Sequence, residues 1–145
     1  MPSFELLLTK ASVFSQLKDS ANAVKYFRAA LNAAEPEDRD EIYLDLAMEY
    51  ENWGKWRDAL RVLQEAIAKN PQNEGAIYEI AFCYDQLGEY EKSIECYSNF
   101  IDENPYSFTA WYNLGNAYLK IENYEQAIWA YDYCVIINDG FGPVH

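Results

Sequence analysis

Pro71 and Pro105 stand 34 residues apart, and each follows an asparagine that closes an apolar run of helical spacing. Laying the chain over itself at that period aligns Tyr50 with Tyr84 and Tyr118, Ala47 with Ala81 and Gly115, Ala59 with Ser93 and Ala127, and Leu63 with Tyr97 and Tyr131. This narrows the fold sharply. A single unit of such a repeat cannot bury its own apolar face, so successive units must stack and share one continuous core.

Inside each unit Leu46, Tyr50 and Trp53, or Ile80, Tyr84 and Leu87, recur at helical spacing, and Gly54 or Gly88 then interrupts the run before it resumes. The unit therefore reads as helix, tight turn, helix. The proline cannot continue the second helix and holds the residue before it extended, so it ends one unit and starts the next. Two antiparallel helices approach closely only where one presents Ala or Gly and the other fills the gap with an aromatic ring. Gly115 and Ala127 are expected to meet in such a contact.

The string Trp111-x-x-Leu114-Gly115-x-x-Tyr118, followed by Ala127-x-x-x-Tyr131, resembles the tetratricopeptide repeat signature. The resemblance implies an all-α fold, a right-handed superhelical solenoid of four antiparallel helix pairs. It is expected to fill residues 1–145 as one domain, with units at about 4–37, 40–73, 74–107 and 108–141. The first two units are 36 residues apart, and Ala34-Glu35-Pro36-Glu37-Asp38 absorbs the excess. The chain departs from the pattern in three places. Lys10 occupies a normally apolar slot, Phe100 stands where Ala30, Ala66 and Cys134 sit in the other units, and Asp139 replaces the terminating proline, leaving Gly140 to stop the last helix.

In proteins of this family the first helix of each pair lines a concave groove that holds a partner peptide. The resemblance implies a groove containing Asp45, Met48, Tyr78, Glu79, Phe82, Asp85, Tyr112, Asn113 and Asn116. Tyr78, Phe82 and Tyr112 are aromatics that the repeat does not need for packing, and rigid aromatics serve as binding anchors. Asn113 and Asn116 offer amides to a peptide backbone. The competing reading is that the repeat itself favours Tyr and Asn at these positions. The acidic groove residues either attract a basic or amphipathic segment or form an ordinary solvated surface. The slots by which one subfamily grips chaperone carboxylates hold Leu8, Ser12, Asp45, Gly75 and Glu79, which argues against that ligand.

A net charge of -13 repels phosphate backbones and anionic lipid surfaces, so neither nucleic acid nor membrane is an expected partner. Residues 74–145 hold 2 cationic and 12 acidic side chains. The lone histidine is His145, and there is no glycine-rich phosphate loop and no cysteine with a recognisable activating base, so no enzymatic activity and no cofactor is expected. Cys83, Cys96 and Cys134 lack metal-ligand spacing and read as reduced side chains of a cytoplasmic protein.

The last helix carries Trp129, Tyr133, Ile136 and Ile137, a poor outer surface for a solenoid end. Two accounts follow. Residues 142–145 begin a further repeat of a longer protein, or the apolar end pairs with its own copy and the chain is a self-association module.

Overall fold

The structure, a computed structural model, describes residues 3–140. Among these residues eight α-helices follow one another and no strand occurs: α1 (Phe4–Gln16), α2 (Ser20–Ala33), α3 (Arg39–Asn52), α4 (Trp56–Lys69), α5 (Glu74–Gln86), α6 (Tyr90–Glu103), α7 (Phe108–Lys120) and α8 (Tyr124–Gly140). A single 3-10 turn, Pro36–Asp38, takes up the two extra residues between the first and second pairs. Residues 1–76 and 77–145 form two compact units, and the division falls inside α5.

Helix ends follow from the local sequence. Ser3, Asp19, Asn73, Ser107 and Asn123 each accept a hydrogen bond from the backbone N–H three residues on, satisfying a donor that the first turn leaves orphaned. The four turns within helix pairs each contain a residue in the left-handed region: Lys18, Gly54, Gly88 and Glu122, with φ of 64°, 79°, 77° and 62°. The two glycines visible as breakers are thus two of four equivalent positions, and the other two are held by residues with a Cβ. Gly140 is the last described residue of α8.

The small columns lie deepest. Ala11, Ala47 and Ala81 are fully buried, as are Ala23, Ala59 and Ser93, and Ala127 is nearly so. The close approach at Gly115 is filled by an aromatic ring: a Cβ built there would lie 2.6 Å from Tyr131 Cε1, so the ring of Tyr131 occupies the space the glycine leaves. Gly75 plays the same part in the first unit, where a Cβ would meet Leu44 Cδ1 at 2.8 Å.

In the first unit α2 packs against α1 and α3, and α3 against α4. Arg28 of α2 and Tyr43 of α3 both donate to Glu65 Oε2 of α4, at 2.8 Å and 3.0 Å, so one carboxylate ties three helices. Burial alone would raise the Glu65 carboxyl, but donation from Arg28 and Tyr43 outweighs it and holds the group below its usual range. Lys10, the polar intruder in an apolar slot, is exposed and lays its ammonium 4.2 Å from the Tyr26 ring centroid, where it gains a cation–π contact without burial.

In the second unit Tyr97, Ile101, Trp111, Leu114, Ala130, Cys134 and Ile137 form the core. Phe100, oversized for its column, stands edge-on to Tyr78 at a centroid distance of 5.7 Å and packs against that core.

Candidate functional site

The groove residues expected from the sequence divide between the two units. Asp45 and Met48 lie on α3 of the first unit, both exposed. Although water reaches Asp45, crowding of its carboxyl and the nearby Glu41 raise it above the ordinary range.

The second unit gathers the rest on α5 and α7, and there the geometry corrects the sequence reading. Tyr78 is not a spare aromatic. Its ring packs edge-on against Tyr97 and Phe100, each at 5.7 Å, and its hydroxyl accepts a hydrogen bond from the Asn113 amide. Asn116 is engaged as well, its side-chain oxygen accepting from the Tyr131 hydroxyl. Each amide therefore has one group committed inside the protein and one left for another partner. Tyr112 does stay exposed, stacked on Phe108 at 6.3 Å, and Phe82 is half-buried.

Sequence reasoning took Tyr97 only as a packing residue. Its ring is fully buried, and its hydroxyl has no hydrogen-bond partner among the described residues. Burial first, then the neighbouring Tyr78, Asp85 and Glu79, push this phenol far above its ordinary range, so it remains a donor. The Asn113 side chain, which donates to Tyr78, lies close enough to this phenol to oppose the shift. The signal was present in the alignment, because Leu63 fills the same column without a hydroxyl and Tyr97 adds a polar tip that the packing does not require.

Two carboxylates flank this cluster. Asp85 is raised by burial, which Lys120 only partly offsets, and Glu79 lies close enough to add to the upward shift of Tyr78. The arrangement is a polar and acidic surface of α5 and α7. No cluster of three or more metal-ligating side chains occurs among the described residues.

On α8 the residues expected to self-associate separate. Ile137 is only 9% exposed and belongs to the core, because the helix turns it toward Trp111 and Leu114, so it is withdrawn from the outer surface. Trp129, Tyr133 and Ile136 remain exposed, joined by Ile128 and Val135, which sequence reasoning passed over. Residues 142–145 lie outside the described residues.

A family model described as anaphase-promoting complex, cyclosome, subunit 3 matches the chain twice, over residues 16–100 and 52–134. The two matches are displaced by 36 residues at their starts and 34 at their ends, the same spacings that separate the repeats. The chain belongs to this tetratricopeptide-type repeat family.

Solved tetratricopeptide proteins share the fold. A tetratricopeptide repeat protein from Parabacteroides merdae superposes with a TM-score of 0.82 at 27% identity, over 94% of this chain and 54% of that one. The chain thus spans about half the length of that relative. MamA matches with a TM-score of 0.82 at 22% identity, over 97% of this chain and 81% of its own. YrrB, described as a TPR protein with an unusual peptide-binding site, matches with a TM-score of 0.77 at 21% identity, over 95% of this chain and 71% of its own. Comparison with curated proteins finds no match. The tetratricopeptide fold is in general a non-catalytic scaffold typical of protein–protein interaction. No helix among the described residues is long and apolar enough to cross a membrane.

Proposed function

We propose that this tetratricopeptide protein is a non-enzymatic scaffold that binds a peptide segment of another protein on the first-helix surface, and that the segment is basic or amphipathic. The observation that carries the reading is the exposed ring of Tyr112 on the same surface as the Tyr78–Asn113 hydrogen bond, with Glu79 and Asp85 close to the Tyr78 phenol. An exposed aromatic ring of this kind gives a bound segment a rigid face to pack on. The neighbouring carboxylates favour cationic side chains on the bound segment. YrrB shares the fold and is described as peptide-binding, which makes the class of ligand reasonable without fixing the site. Cys83, Cys96 and Cys134 form no disulfide among the described residues, in keeping with a reducing compartment such as the cytoplasm.

The test is a pull-down from lysate at low and high salt, with Glu79→Gln and Tyr112→Ala variants of the full chain beside the native protein. A partner weakened by either variant and by salt supports this surface. A partner indifferent to both variants removes it.

A second reading rests on α8. Ile128 and Val135 are 60% and 57% exposed, whereas the equivalent positions of earlier units are buried (Leu60, Leu31 and Ile101) or half-buried (Val24, Ile94 and Ile67). A face that the repeat elsewhere covers is here open, which favours pairing with a second copy through Ile128, Val135 and Ile136. Sedimentation over a hundredfold range of concentration, on the order of 1–100 µM, decides it. A purely monomeric protein throughout that range ends this reading.

A further inference from the structure

Trp111, Trp129 and Tyr133 form an aromatic corner in the second unit. Trp111 stacks on Tyr133 at 4.3 Å with planes 11° apart, and Trp129 stands across both rings, 5.1 Å from Trp111 and 5.5 Å from Tyr133. The Trp111 indole N–H donates to the Pro105 carbonyl at 2.8 Å, which fixes that ring. Together with Ser98, Asp102 and Pro105 the three rings line an open cavity of about 390 Å³. It shares no residue with the Tyr78–Asn113 surface.

The repeat does not require this corner. At the position of Trp129 the other units carry Lys25, Arg61 and Glu95, and at that of Tyr133 they carry Ala29, Glu65 and Asn99. Packing alone is satisfied there by small or charged side chains, so two large rings in the fourth unit, 43% and 38% exposed, call for another explanation. The facing wall supplies one. Asp102 of α6 is exposed and lines the same cavity, and residues 77–145 hold only 2 cationic side chains against 11 acidic ones.

We infer that this cavity receives a cationic side chain from a basic segment of a partner protein. Aromatic faces attract a cation through their quadrupole, tryptophan most strongly, and a carboxylate beside them supplies the countercharge. An arginine suits the geometry best, because its plane stacks on an indole while its fork meets a carboxylate, and it sheds water more readily than an ammonium. A cavity of this volume admits one such side chain with the backbone that carries it.

The experiment follows the indole N–H resonances of Trp111 and Trp129 in the full chain during titration with acetyl-Gly-Arg-Gly-amide, its lysine counterpart and its neutral citrulline isostere. A saturable shift with arginine or lysine and none with citrulline is expected. Asp102→Asn should weaken the response by about threefold or more at low salt, and Trp129→Ala should abolish it at Trp111 while leaving the remaining spectrum in place. The proposal is overturned by an equal response to citrulline, by no saturable shift at millimolar peptide, or by shifts that follow protein concentration without peptide. The last result assigns the corner to a second copy of the chain.

Discussion

The ring of Tyr131 lies directly over Gly115, so closely that any Cβ at that position would sit within 3.0 Å of three ring atoms. The same tyrosine donates its hydroxyl to Asn116, one residue further along α7, so ring and hydroxyl together set how near α7 and α8 come. Gly115→Ala should therefore destabilise the protein by about 1–3 kcal/mol, read as a lower midpoint in urea with an unchanged slope. Adding Tyr131→Leu should recover part of that loss, because the smaller side chain vacates the overlap. An unchanged midpoint in the single variant would show that the helices separate at no cost.

The four left-handed turn residues give a signed pair of predictions. Glu122→Gly and Lys18→Gly relieve a strained backbone and should each stabilise the chain by about 0.5–1 kcal/mol, whereas Gly88→Ala imposes that strain and should cost about 1 kcal/mol. Thermal unfolding of the three variants checks the signs directly.

Asp85 provides a pH dependence. Burial raises its carboxyl above the ordinary value of 3.8, so the folded state holds this proton more tightly than the unfolded chain. The stability it contributes is complete below that value and is lost as pH rises through the folded one. Asp85→Asn should therefore raise the unfolding midpoint at pH 7, with the gain shrinking as pH falls toward 3.8. A gain that stays constant across that range would place the effect elsewhere.

The cysteines should be slow nucleophiles. Cys83 and Cys134 are buried, and burial together with Glu95 raises the Cys96 thiol. Native protein should react with a disulfide reagent at pH 7.4 at least about tenfold more slowly than denatured protein, for all three thiols. Prompt reaction of one thiol would reveal local opening around it.

The helices were legible because their signals are local. Pro71, Pro105 and the tyrosine column Tyr50, Tyr84 and Tyr118 mark the second, third and fourth pairs, and Gly54 and Gly88 mark two of the turns. Lys18 and Glu122 left no comparable mark, since neither residue type announces a left-handed backbone. The candidate site was legible only as a set of positions. Phe100 showed as too large for its column, but nothing in the sequence said that Tyr78 would receive it and so become part of the packing. Tyr97 displayed a hydroxyl where Leu63 has none, yet nothing in the spacing said that Asn113 would donate to Tyr78 while standing close to this second phenol. Ile137 and Ile136 are neighbours in sequence and differ in fate for the same reason, one turned into the core and the other out of it.

Repeat arrays commonly unravel pair by pair, because each pair touches only the next. The shared carboxylate of Glu65 works against that in the first unit, since Arg28 and Tyr43 reach it from two other helices and releasing any one of them disturbs the rest. Amide hydrogens of α2, α3 and α4 should then exchange with solvent in a single cooperative step, while α1, outside the arrangement, frays ahead of them.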